Sequence, residues 1–169
     1  MNIYIPIVKG QDLCKGVENS ILNQSIPCKI HIISGDGDLN SSRNYSPLRL
    51  IEEPRVRNEC RATAMWYGDN YSVIQDRDCK HLYDENILDM MSFLQDNPLH
   101  GAVSIGLNYG DQNHICLICV MFRWDALAKL NFHNKYGKCL CQEVTEDIRN
   151  MGYKYGYLDN KKRIVEIKE

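Results

Sequence analysis

Two acidic pairs stand where chemistry is most readily built. Asp76-x-Asp78 follows the run Tyr71 to Gln75, and Asp36-x-Asp38 follows Cys28 to Ser34 in the polar segment Gly35-Asp36-Gly37-Asp38. Alternate residues of an extended chain point the same way, so Asp76 and Asp78 would present carboxylates on one side, their Cα atoms about 7 Å apart. Carboxylate oxygens suit a hard cation, Mn²⁺ or Mg²⁺, which binds through one or two carboxylates, phosphate oxygens and water and neutralises charge building on a departing diphosphate. One Asp-x-Asp is expected about once by chance in a chain this acidic, so position must add the specificity. Asp36 and Asp38 read equally well as turn residues, because Asp and Gly favour loops for backbone reasons. His81, just past Asp78, could add a ligand.

The eight cysteines are scattered rather than paired into a disulfide framework. Cys116-x-x-Cys119 lies in an apolar run that reads as a buried strand, where positions three apart face opposite ways and cannot grip one zinc. Cys139-x-Cys141 offers two sulfurs on one side, but a structural zinc site wants four ligands at knuckle spacings. Free thiols acting as small buried hydrophobes are the simpler reading.

The elements that must position these groups alternate between two periods. Ile3 to Val8 reads as a buried strand. Leu13, Val17 and Ile21 then mark a helix behind Asp12 as N-cap, closed by Pro27, and Cys28 to Ser34 is again a strand. Leu48 to Glu52 reads as a short strand and Val56, Cys60 and Ala64 as a helix stopping near Gly68. Tyr71 to Gln75 is a strand, and Asn86 to Gln95 a helix ended by Asn97-Pro98. Ala102 to Leu107 and Ile115 to Met121 are strands, Asp125 to Leu130 a short helix, and Val144, Ile148 and Met151 line a helix ending at Gly152. Tyr153 to Leu158 and Arg163 to Ile167 finish as strands, a candidate terminal hairpin. Strand and helix in alternation predict an α/β chain with a mostly parallel sheet, residues 1–169 forming one domain. In such sheets ligands settle at the C-terminal ends of the strands, where both acidic pairs fall.

Composition narrows the partners. A chain of 169 residues, 44% hydrophobic and 25% charged with a net charge of -2, lacks the basic footprint of broad nucleic-acid binding. Lys161-Lys162-Arg163 reads as a solvated turn. The longest apolar run, Ile115 to Phe122, falls far short of the about 20 residues a membrane helix needs. With Pro6 interrupting the N-terminus before any signal-length stretch, a cytoplasmic protein is expected.

In order along the chain, Ile3-Tyr4-Ile5-Pro6, Val17-Glu18-Asn19-Ser20-Ile21-Leu22-Asn23-Gln24 and Ile32-Ile33-Ser34-Gly35-Asp36-Gly37 resemble the opening of a family 2 glycosyltransferase of the GT-A fold. The resemblance continues through Arg57-Asn58, Tyr71 to Asp78, the helix ending in Asn97-Pro98, Met121-Phe122-Arg123-Trp124-Asp125-Ala126-Leu127 and Gly152-Tyr153-Lys154. It implies a three-layer GT-A fold and metal-dependent transfer of a sugar from a nucleoside diphosphate sugar to an acceptor hydroxyl, with inversion. It also implies that Pro6 and Val8 line the base pocket, that Asp36 contacts base or ribose, that Arg57 lies near the diphosphate, and that Asp76 and Asp78 hold the metal at the nucleotide. The family's catalytic Glu-Asp, counted back from Gly152, falls on Leu140-Cys141. Glu143 is then the nearest carboxylate for the general base, with Glu146 and Asp147 a turn further on. By residue type alone, Arg57 could instead pair with Glu53 or Glu59. A non-catalytic module of the same fold, binding a nucleotide sugar or a protein partner, is the competing expectation. A nucleotidyltransferase is disfavoured by the absence of a Gly-rich, Lys-bearing phosphate loop.

Overall fold

In a computed structural model of the chain, residues 1–7, 11–34, 47–106, 115–133, 139–158 and 162–168 are described, the side chains of 47–53 excepted. Val8, Asp36 and Asp38 lie outside the described residues. Six strands form one sheet in the order β2-β1-β3-β6-β5-β7: β1 (Asn2–Ile7), β2 (Lys29–Ser34), β3 (Tyr71–Gln75), β5 (His100–Ile105), β6 (Cys119–Arg123) and β7 (Lys154–Tyr157). Only β6 runs against the rest: it pairs antiparallel with both β3 and β5, while β1 pairs parallel with β2 and β3, and β7 parallel with β5.

Side-chain alternation sorts the core into two layers. Ile3, Ile5, Val73, Val103, Cys119 and Met121 face α1 (Val17–Leu22) and α3 (Asn86–Asp96). Tyr4, Ile74, Ala102, Val120 and Phe122 face α2 (Pro47–Tyr67), α4 (Trp124–Lys129) and α5 (Leu140–Asn150). The inner strands β1, β3, β5 and β6 are covered on both faces, which is why they read as apolar runs rather than as half-polar ones, whereas the edge strands β2 and β7 stay partly exposed. The expected three-layer α/β arrangement is the observed one.

Four local expectations change. Residues 48–52 are not a strand: α2 runs unbroken from Pro47 through Pro54, which costs one backbone hydrogen bond but does not end the helix. The first helix begins at Val17 behind Gly16, whose φ of 83° suits glycine, and not behind Asp12. Strand β6 begins at Cys119, four residues later than the apolar run suggests. The C-terminal strands are not a hairpin: β7 joins β5, whereas β8 (Ile164–Glu166) pairs antiparallel with β4 (Cys79–His81), a short strand too brief to leave a periodic signature.

Gly156 in β7 lies under the Phe93 ring of α3, so a Cβ there would run into that ring and meet His100 at 3.3 Å. Gly156→Ala should therefore overpack this junction and lower stability by about 1–3 kcal/mol, measured as a reduced urea midpoint at unchanged m-value.

Candidate functional site

The turn after β3 is anchored at the C-terminal end of that strand. Gln75 closes β3 opposite Cys119 of β6. The Asp76 N–H donates to the Ile118 carbonyl at 2.8 Å, and Cys79 N–H donates back to the Asp76 carbonyl at 3.1 Å. Asp76, Arg77 and Asp78 thus form a tight turn into β4. The backbone there is a turn rather than the extended chain on which the expected alternation of the two carboxylates rests.

Arg57 reaches this turn from α2. Its guanidinium donates from Nη2 to Asp76 Oδ1 in an ion pair whose arginine is 2% exposed and whose aspartate is 31% exposed. Arg57 is therefore not a surface partner of Glu59; Arg55 fills that role at 3.6 Å. The Asp78 carboxylate, partly exposed, makes no hydrogen bond or ion pair to a described side chain, while its backbone carbonyl accepts Ile167 N–H at 2.8 Å. Arg77 donates to the Asp12 carbonyl at 2.8 Å, and Cys14 N–H donates to the Arg77 carbonyl at 3.2 Å, which docks the segment before α1 against the turn. Pro6 sits at the end of β1. Tyr4 is in register with Ile74, so two residues further along parallel strands Pro6 comes level with Asp76.

The residue after Arg57 clamps a second segment. Asn58 Nδ2 donates to the Phe132 carbonyl at 2.6 Å and its Oδ1 accepts Phe132 N–H at 2.9 Å. That clamp sets His133, whose Nδ1 lies 3.5 Å from Glu143 Oε2 and whose Nε2 lies 3.5 Å from Asp147 Oδ2. Glu143, in the first turn of α5, is buried at 4% exposure. Thr145 fixes the same turn by accepting Ile115 N–H at 2.7 Å and donating to the Cys141 carbonyl. Burial pushes the Cys141 thiol up to about 11, opposed by the Leu117 backbone and by the Arg57 guanidinium, so the first turn of α5 lies within electrostatic reach of Arg57. His133 carries no sequence signal: it stands ten residues before Glu143 in a segment without periodicity, and only the Asn58 clamp brings it there.

His81 turns away from the Asp78 carboxylate. It is buried, with Nε2 2.9 Å from Gln75 Oε1 and Nδ1 3.1 Å from Asn86 Nδ2. Beside it the buried thiols of Cys79 and Cys119 converge, the two sulfurs and a ring nitrogen lying within 4.8 Å of one another. The Cys119 sulfur and burial push the Cys79 thiol up, while the Cys79 sulfur and the His81 ring pull the Cys119 thiol down. All eight cysteines are free thiols.

Comparison with solved structures identifies the architecture. The mannosyltransferase PcManGT from Pyrobaculum calidifontis, in complex with GDP-Man and Mn²⁺, superposes with a TM-score of 0.67 at 14% identity, covering 94% of this chain and 54% of that one. TarS from S. aureus with UDP-GlcNAc gives 0.63 at 13% identity, over 99% of this chain and 58% of that one. Drosophila β1,4-galactosyltransferase 7 with manganese, UDP-Gal and xylobiose gives 0.64 at 15% identity, over 99% and 71%. The chain has the GT-A glycosyltransferase fold and spans little more than half the length of the first two of these proteins. No protein-family model and no curated protein sequence matches it. No described helix is long and apolar enough to cross a membrane.

The Arg57–Asp76 pair gives the turn an asymmetry that can be measured. Asp76→Asn removes the charge that Asp76 sets against a buried guanidinium and should cost about 2–3 kcal/mol, since breaking a buried pair from one side is far costlier than losing an exposed one. Asp78→Asn should cost less than about 0.5 kcal/mol, as for other surface changes. Urea denaturation of the two variants checks the difference.

Proposed function

We propose that the chain, residues 1–169 as one domain, transfers a sugar from a nucleoside diphosphate sugar to an acceptor hydroxyl with inversion. The observation that carries this reading is the Asp76-Arg77-Asp78 turn at the end of β3, clamped by a buried Arg57 in a GT-A sheet. The donor set fits a hard divalent ion: Asp78 offers a partly exposed carboxylate without a described partner, and the carboxylate of Asp76, also partly exposed, stands two residues before it. Asp76 and Asp78 would hold Mn²⁺ or Mg²⁺. The bound cation supplies charge neutralisation at the diphosphate.

The chain's own groups do the rest. Arg57 fixes the carboxylate that faces the nucleotide. Pro6 and Val8 line the base, and Asp36 accepts from base or ribose. Glu143 takes the proton of the acceptor hydroxyl as that oxygen attacks the anomeric carbon, and the bond to the diphosphate breaks with its electron pair leaving on phosphate oxygen. The mannosyltransferase, TarS and galactosyltransferase 7 structures, crystallised with nucleotide sugars, support a donor of this class.

A second reading has its own support. Glu143 is 4% exposed, which favours a module that binds the donor without transferring it.

Calorimetry with UDP, GDP and their sugars should show binding that needs Mn²⁺ and is lost in Asp78→Ala, a variant expected to stay folded. Equal affinity in EDTA overturns the metal assignment. Where a donor binds, Glu143→Gln should cut transfer or donor hydrolysis at least about a hundredfold, the low end of general-base catalysis, while Glu146→Gln leaves it unchanged. Donor binding with no turnover in the unmutated protein decides for the binding module.

A further inference from the structure

The buried cluster behind the turn looks at first like a three-ligand metal site of Cys79, His81 and Cys119. Its hydrogen bonds argue otherwise. Asn86 is pinned in one orientation: its Nδ2 donates to the Arg163 carbonyl at 2.8 Å and its Oδ1 accepts from Arg163 Nη1 at 3.1 Å. The Nδ2 that lies 3.1 Å from His81 Nδ1 is therefore a donor, and Nδ1 is the acceptor. Gln75 is pinned as well, because its Nε2 donates to the Cys79 carbonyl at 3.0 Å, which leaves Oε1 to accept the His81 Nε2–H at 2.9 Å. The ring thus donates through Nε2, on whose side the Cys119 sulfur also interacts with it, and accepts through Nδ1. A ligating histidine donates through its second nitrogen, whereas the second nitrogen here accepts.

What remains is a pair of thiols, each wholly buried, whose sulfurs lie within 4.8 Å of one another. We propose that Cys79 and Cys119 are a modification site: a dithiol that closes to an intramolecular disulfide with hydrogen peroxide, an oxidant no larger than the space a buried site can open to it. Two S–H bonds break and one S–S bond forms; the two electrons and two protons pass to the peroxide, whose O–O bond breaks to give two waters. Position gives the bond its consequence. Cys79 directly follows Asp78 and opens β4, and Cys119 opens β6 next to Ile118, whose carbonyl holds the Asp76 N–H. Oxidation would stitch together the two flanks of the acidic turn and lock it against opening. The site does not depend on the glycosyltransferase reading, and its test needs no substrate.

The folded full-length protein is treated with peroxide, quenched, alkylated in denaturant, digested and mapped by mass spectrometry, with the exposed Cys139 reporting that the oxidant was active. The expected result is a cross-linked peptide joining Cys79 to Cys119, lighter by two hydrogens and reopened by dithiothreitol. It should be absent in Cys119→Ser and kept in Cys116→Ser, and the oxidised protein should melt higher than the reduced one. Glutathione disulfide, too large for the buried pair, should not produce it at the same rate. Recovery of Cys79 and Cys119 as alkylated free thiols after Cys139 has been oxidised overturns the proposal. So does their pairing with other cysteines, or stoichiometric zinc that protects both from alkylation until a chelator is added.

Discussion

A guanidinium buried to 2% exposure must be paired, and the carboxylate that pairs it is Asp76. Much of the site follows from that constraint. Arg57 can reach Asp76 only if the latter half of α2 lies across the end of β3, which the packing of Cys60 and Ala64 against Tyr4, Ile74 and Phe122 secures one and two turns further on. Once α2 is so placed, the next residue, Asn58, meets the backbone of Phe132 with both its amide atoms and fixes where His133 and the approach to α5 must run.

The acidic turn is held from both faces of the sheet, by different chemistry. On one face an ion pair grips the first carboxylate. On the other, a hydrogen-bond relay that starts at the Arg163 guanidinium and runs through Asn86, His81 and Gln75 to the Cys79 carbonyl grips the backbone just behind it. The buried amides and imidazole of the relay are tolerated because each has a partner, and the fixed sequence of donors and acceptors admits a single arrangement. The result is a turn fixed at Asp76 and at Cys79, with the Asp78 side chain left partly exposed between them.

This division suits the donor site proposed above. Preorganised charge at a strand end can stabilise a leaving diphosphate without rearranging, and the fold at 13–15% identity to PcManGT, TarS and galactosyltransferase 7 supplies the strand end rather than the specificity. The same architecture brings a dithiol to the underside of that loop, where a change in covalent state would be felt by the residues most exposed to ligand.

The sequence by itself determined the layers and most of the strands. Apolar runs such as Ile3 to Ile7 and Val120 to Phe122 can be satisfied only when both sides are covered, and that demand is local, legible at a spacing of two. It also marked the strand end at which Asp76 and Asp78 stand. Tertiary structure alone decided what those aspartates do next. Whether residues 48–52 extend or coil depended on α2 finding a sheet to lie on, which outweighed the signal of Pro54. Whether the last strand turned back on β7 or crossed to β4 depended on a three-residue strand with no period of its own. Arg57 with Asp76, His133 with Glu143, and Cys79 with Cys119 are pairs separated by 10 to 40 positions. Periodicity reports only which face a residue takes; which residue stands opposite is set by the order in which the strands and helices pack.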